Sequence, residues 1–357
     1  MIHTDALVIG AGPVGLFQVF QLGLLGLKAD IIDVLPHAGG QCMALYPDKP
    51  IYDIPGVPVC TGRELTQQLL TQAAPFMPAD APDALPRNLH LGHMVSELRV
   101  LPEGGFELLT DKGLQARAPA VFIAAGAGAF VPRGLNLPGL DAVRNLHYFL
   151  PEQADAATPW AGQHLIIHGG ADEALSAALE MALHPDPAQR PARLSLLHRR
   201  DQFQAEDELD KRVRALMATG QIELIVGMPV AAHVEGEQLT ALQILGADGQ
   251  TRTQQLDHLL IRLGMSPKLG PLTTWGMALE RKQVAVSTTS FESSIPGVYA
   301  VGDINTYPGK KRLLLCGFHE ATLAAHHAAA TLHPEAPQHL LYTTTSPLLH
   351  QRLGIAK

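Results

Sequence analysis

Two stretches of this 357-residue chain have the spacing of a turn that holds a dinucleotide. The first, VIGAGPVG at Val8–Gly15, sets Gly10, Gly12 and Gly15 between an apolar run, Ala6–Ile9, and the helix-like segment LFQVFQLGLLG. In such a turn the first glycine closes the bend, the second lets a diphosphate approach the backbone, and the third lets the helix pack on the strand. The helix start then offers free N–H groups and a partial positive charge to the anion. Asp33 ends the next apolar run, ADIIDV, 23 residues after Gly10, where a carboxylate grips a ribose diol.

The second stretch, IIHGGADEAL at 166–175, opens another strand–turn–helix–strand unit: HLIIHGG, ADEALSAALEMAL and ARLSLLHRR. Gly169 and Gly170 make its turn. Arg199 and Arg200 end its second strand, where an arginine meets an adenosine 2′-phosphate and where NAD sites carry an acid. This turn is imperfect. Ala171 adds a methyl group and Glu173 adds a carboxylate at the helix start. A like charge about 4 Å from a diphosphate costs about 1 kcal/mol even in water.

Holding two such turns requires two doubly wound α/β sheets. The length suits roughly two domains, and 46% hydrophobic residues suffice for their cores. Several β-like segments fall within 88–124, with further strands expected near Ile222–Val226, Ala241–Leu245 and His258–Ile261. Pro36–Gly56 is rich in Pro and Gly and reads as loop, and Pro151–Pro159 reads as a linker. GVYAVGDI, at 297–304, reads as a strand ending at Asp303, followed by a helix that starts near Phe318. This late segment is expected to complete the N-terminal domain.

The net charge of −8 argues against nucleic acid as a partner. There is no apolar run of membrane-spanning length. The opening MIHTD lacks the basic start of a signal peptide, so a cytoplasmic protein is expected. Cys42, Cys60 and Cys316 form no CxxC, and the 17 histidines form no HxH or HExxH. Neither a dithiol centre nor a metal site is expected.

The chain resembles the flavin-dependent pyridine-nucleotide oxidoreductases and, within them, the ferredoxin–NADP reductases of the thioredoxin-reductase-like type. Besides the first turn, the resemblance rests on GGQCMALYPDKPIYDIPG, IAAGAGAFVPR, LLHRRDQF, MSPKLGPLTTWGMALE, IPGVYAVGDINTYPGKKRLLLCGFHEA and LYTTTSPLLHQRLG. It implies an α/β fold of two three-layer, Rossmann-like domains: residues 1–130 plus 268–357 for FAD, and 131–267 for NADP. It also implies a homodimer and a ferredoxin or flavodoxin-like carrier as partner.

Carried over by residue, the resemblance gives Gly10, Gly12 and Gly15 to the FAD diphosphate and Asp33 to its ribose. Gln41, Tyr46 and Asp53 fall to the flavin, with Tyr46 stacked on one ring face. Val95 meets the adenine end, Phe130 lies near the cofactor, and Asp303 meets the ribityl chain. Tyr342 and Thr344 reach the flavin from the tail, Tyr342 on the other ring face and from the partner subunit. Gly169, Gly170, Arg199 and Arg200 fall to NADP. The family's second turn usually reads GGGDSA, so Ala171 and Glu173 are departures. No catalytic side chain is implied beyond the flavin itself.

Three alternatives compete with this resemblance. Thioredoxin reductases carry a CxxC where this chain reads NLHYFL, Asn145–Leu150. A flavin-binding redox sensor would follow if GADEA had disabled the second site. A general flavin or quinone reductase would differ only in its acceptor. Lys310, Lys311 and Arg312 form a short basic run that would suit an acidic carrier or simply be solvated loop charge.

Overall fold

In a computed structural model of the chain, residues 1–81, 84–150, 158–336 and 339–355 are described. Most of the expected linker Pro151–Pro159 lies outside them. The chain divides into two compact units, Met1–Phe130 with Pro267–Lys357, and Val131–Ser266.

The first unit is built on a five-stranded parallel sheet ordered Val298–Ala300, Ala120–Ile123, Ala6–Ile9, Ala29–Asp33, Leu89–Leu91. Its central strands, ALVI and AVFI, are apolar along their whole length because both faces are covered. Ala6, Val8 and Phe122 face the helices Pro13–Leu24, Gly62–Ala73 and Leu314–Leu332. Leu7, Ile9, Val121 and Ile123 point the other way, onto Phe106, Leu108 and Ala116 of a four-stranded sheet. The period of two along each strand therefore makes three layers. Val298–Ala300 pairs with Ala120–Ile123, so the late segment supplies an edge of the N-terminal sheet.

The second unit repeats the scheme with the order Leu146–His147, His258–Ile261, His164–His168, Arg193–His198, Glu223–Val226, all parallel. Leu165 and Ile167 face the helix Asp172–Ala182 through Ala174, Leu175 and Ala178. Ile166 and Leu197 face Leu239, Leu242 and Ile244 of a three-stranded antiparallel sheet.

Several local expectations are corrected. Pro36–Gly56 is not all loop: Gly40–Leu45 is helical and Pro50–Ile51 pairs with Cys60–Thr61. QCMAL is a run of helix formers once Gly39 and Gly40 have turned the chain. The late helix begins at Leu314, before Phe318, with Leu314 and Phe318 one turn apart and both packed against the core. The late strand ends at Ala300, and Asp303 sits in the 3₁₀ turn Gly302–Ile304. The strand before Arg199 ends at His198, so both arginines lie just beyond it.

The tightest packing is at the first turn, where a Cβ on Gly15 would lie 1.8 Å from the carbonyl oxygen of Gly10. Gly15→Ala is expected to cost more than ~3 kcal/mol, because backbone must move to admit the methyl group. A urea unfolding midpoint equal to that of the wild type would contradict this packing.

Candidate functional site: two dinucleotide turns

At the first turn each glycine has a separate reason. Gly10 is at φ +108°, and a Cβ there would lie 2.5 Å from the carbonyl oxygen of Ala124. Gly15 must be bare for the helix to reach the strand. Gly12 differs: a Cβ there would meet only the Cα of Gly40, at 3.8 Å. That is an ordinary van der Waals contact, so Gly12 is not required by protein packing, and its bare backbone suits the approach of a diphosphate. Gly12 is also the N-cap of the helix Pro13–Leu24 and supplies no side-chain cap, so side chains leave the helix start free for an anion.

Asp33, at the end of its strand, is buried at 8% exposure. Its Oδ2 accepts from Ala11 N at 2.5 Å and its Oδ1 from Leu35 N at 2.8 Å. Burial pushes this carboxyl up, against the lowering effect of those two amides. A carboxylate oxygen has lone pairs to spare beyond one such bond. These residues fit the adenosine half of a dinucleotide.

The first unit also carries a cleft of about 590 Å³, within the range of small-molecule sites. Tyr46, Tyr52, Asp53, Arg312, Leu313 and Leu314 are among its lining residues. Tyr46 is the C-cap of the helix Gly40–Leu45, and its hydroxyl accepts from the Cys42 thiol at 3.7 Å. Burial raises the Tyr46 hydroxyl's pKa, and Cys42, Asp303 and Asp53 add to the effect, which places both carboxylates within electrostatic reach. The helix Leu314–Leu332 begins at the cleft and has no side-chain cap either. An aromatic face, two carboxylates and a free helix start suit a flat, polar-edged ring system.

Asp303 is held by a buried network. Glu320, fully buried on the late helix, accepts at Oε2 from Gly302 N at 2.7 Å and from Asn305 Nδ2 at 2.8 Å. Its Oε1 accepts from the Tyr307 hydroxyl at 2.9 Å and from Lys310 Nζ. Lys310 also donates to Gly302 O at 2.9 Å, and its side chain is 8% exposed. Lys310 is therefore neither a solvated loop charge nor a docking residue; Lys311 and Arg312 alone of that run are exposed. Burial raises the Asp303 carboxyl and Glu320 adds to it, while Lys310 and Arg312 oppose the rise. The pattern had no spacing signal, since Lys310 reads like any loop lysine until its depth is known.

The remaining first-unit residues are placed less closely. Gln41 lies in the short helix, with its Nε2 3.2 Å from where a Cβ on Gly126 would stand. Val95 opens a strand of the four-stranded sheet, with its side chain in the core between that sheet and the parallel one, and Phe130 is half-buried. Tyr342 is 62% exposed and Thr344 is exposed, and neither lines the cleft with Tyr46.

At the second turn a Cβ on Gly169 would lie 2.2 Å from Arg262 O, and one on Gly170 would lie 2.4 Å from His198 Cε1. His198 Nε2 is buried without a partner. Burial lowers the pKa of His198, and Arg199 and Arg200 lower it further, so both arginines stand near the turn. Both are exposed and form no ion pair among the described residues. Asp172 Oδ1 accepts from Glu206 N, and Glu173 lies 3.8 Å from Arg262 Nη2. Arg262 was not singled out in the sequence; a lone arginine ending the apolar run LLIRLG was the available signal.

Asn145, at the start of the segment NLHYFL, is a structural clamp. Its amide donates to Leu239 O and Asp257 O and accepts from Leu239 N. All three cysteines are free thiols, and Cys42 and Cys60 are buried. Among the described residues no group of three or more His, Cys, Asp or Glu is arranged for a metal, and no helix is long and apolar enough to cross a membrane.

Two parallel sheets, each opening into a glycine turn and a helix, define a protein that binds two dinucleotides. The chain belongs to the pyridine nucleotide-disulphide oxidoreductase family, whose pattern matches residues 4–330. Over its full length it is 50% identical to the ferredoxin–NADP reductase of Paracidovorax citrulli, covering 97% of that protein. It is 51% identical to that of Verminephrobacter eiseniae, covering 98%. Among solved structures, thioredoxin reductase from T. acidophilum aligns over 93% of this chain and 99% of its own (TM-score 0.57, 18% identity). Bacillithiol disulfide reductase from Staphylococcus aureus aligns over the same shares (TM-score 0.61, 16% identity). These two likenesses carry the fold: thioredoxin-reductase-like, with two Rossmann-like domains.

The buried ion pair generates a direct test. Lys310→Met leaves Glu320 charged, buried and short of its cation, and is expected to cost about 3–5 kcal/mol. Adding Glu320→Gln is expected to recover part of that loss in urea unfolding. A single variant as stable as the wild type would remove the pair from its place in holding Asp303.

Proposed function

We propose that this chain is a flavoprotein oxidoreductase that moves electrons between NADPH and ferredoxin or a similar one-electron carrier. The observation that carries this reading is the difference between the two turns. The first ends its second strand in a buried acid, Asp33. The second is followed by two exposed arginines, Arg199 and Arg200. An acid suits a ribose diol and paired arginines suit a 2′-phosphate, so one chain would hold FAD and NADP(H) at separate turns. The names of its full-length relatives agree with this pairing.

In this reading residues 1–130 and 268–357 bind FAD, and 131–267 bind NADP. Gly10, Gly12 and Gly15 take the FAD diphosphate and Asp33 the ribose. Gln41, Tyr46, Asp53, Phe130 and Asp303 line the flavin half, and Val95 lies at the adenine end. Gly169 and Gly170 take the NADP diphosphate. Bound flavin supplies the chemistry, taking electrons as a pair and passing them on singly. The protein positions it: Tyr46 covers a ring face and excludes water, and the start of the helix Leu314–Leu332 favours negative charge on the ring. Tyr342 and Thr344, exposed on the tail, are free to reach the flavin of a partner subunit in a homodimer. No side chain is assigned as acid, base or nucleophile.

The redox-sensor alternative drew on Glu173, but Arg262 stands beside that carboxylate. Arg199→Ala with Arg200→Ala tests the leading reading. In NADPH-driven reduction of ferredoxin, kcat/KM for NADPH is expected to fall roughly 100-fold, about two charge-assisted hydrogen bonds, while NADH is little affected. Equal losses for both nucleotides would contradict the assignment of these arginines, and a wild type inactive with NADPH would contradict the function.

A further inference from the structure

The second turn carries two acids at the helix start where a diphosphate would settle: Asp172 accepts from Glu206 N, and an arginine stands beside the other, Glu173. Glu173 is in the first turn of the helix Asp172–Ala182, and its side chain is 44% exposed. Its Oε2 is 3.8 Å from Arg262 Nη2, an ion pair but beyond hydrogen-bond range. Arg262 itself is firmly placed. Its amide donates to His168 O at 2.8 Å, and its carbonyl abuts Gly169. Its Nη1 donates to Tyr148 O at 3.0 Å, and its Nε is buried without a partner. A guanidinium has five N–H donors in a fixed fork. Here one is committed to Tyr148, which leaves donors to spare at Nη2, on the side that faces Glu173.

We propose that Arg262 is the cation that receives the dinucleotide diphosphate at the second turn, and that Glu173 is its resting counter-ion, displaced when the diphosphate arrives. This rests on the reading of residues 131–267 as the NADP site. Glu173 occupies both features that attract an anion there, the helix start and the guanidinium. It is an internal stand-in for the ligand. Glu173 then weakens diphosphate binding without abolishing it. The pair acts on the diphosphate that NADP⁺ and NAD⁺ share, so it is blind to the 2′-phosphate that Arg199 and Arg200 would read.

The test is equilibrium binding to the flavin-loaded protein, by calorimetry, of NADP⁺, NAD⁺ and 2′-AMP, which lacks the diphosphate. Glu173→Gln is expected to tighten NADP⁺ and NAD⁺ alike, by about five-fold, the size of one like-charge contact near 4 Å in water. It is expected to leave 2′-AMP unchanged. Arg262→Gln is expected to weaken both dinucleotides by about ten-fold or more, the scale of one hydrogen bond to a charged group. If that variant fails to fold, Arg262→Lys keeps the charge and loses the fork, and is expected to weaken both by a smaller factor. A purely structural ion pair would give no tightening in Glu173→Gln. That result, or tightening confined to NADP⁺, would overturn the proposal while leaving the NADP site in place. A wild type that binds neither NADP⁺ nor 2′-AMP would overturn the site and the proposal together.

Discussion

The buried pairing of Lys310 with Glu320 is the constraint on which much of the first unit depends. Glu320 is fully buried on a helix, and its carboxylate is tolerable there because Gly302 N, Asn305, Tyr307 and Lys310 all donate to it. Those donors come from one stretch, Gly302 to Lys310, which follows the edge strand Val298–Ala300. The network therefore fixes the strand, the turn that bears Asp303 and the late helix as one piece. Bare backbone completes the fit: a Cβ on Gly317 would lie 2.5 Å from Val14 Cγ2 of the first-turn helix. A segment distant in sequence is so held against the first glycine turn, with its helix start at the cleft that Tyr46 lines.

The two turns share a backbone plan and differ in their finish. At the first, Asp33 is buried and bonded to the turn's own amide at Ala11, and Gly39 N donates to Ala11 O. Strand end, turn and loop are so tied together, as suits a resident cofactor. At the second, the arginines are exposed and Glu173 already sits by the cation. That finish suits a nucleotide that must leave after each turnover. The contrast follows from exposure and charge, since the parallel sheets beneath are built alike.

Much of this was legible in the sequence. The glycine turns, the apolar strands of both sheets and Asp33 follow from spacing, because each depends on local backbone geometry. The return of the late segment to the N-terminal sheet was also legible, and strand pairing places Val298 beside Val121. What was not legible depends on depth. Lys310 sits in a polar, glycine-containing loop, and only the packing of Glu320 from a separate helix makes it a buried cation. The helix Gly40–Leu45 was obscured by flanking glycines and prolines, although its own residues favour a helix. The start at Leu314 was missed because no capping side chain marks it. Arg262 lies far in sequence from Glu173, and parallel pairing of His258–Ile261 with His164–His168 brings them together.

The central claim is that the first turn holds a flavin and the second delivers electrons to it from NADPH. The most direct measurement is the visible spectrum of the purified protein, recorded anaerobically while NADPH and, separately, NADH are added, followed by oxidised ferredoxin. The expected result is a yellow protein that NADPH bleaches quickly and NADH poorly, with the colour restored by ferredoxin. A yellow protein that neither nucleotide bleaches would contradict the claim.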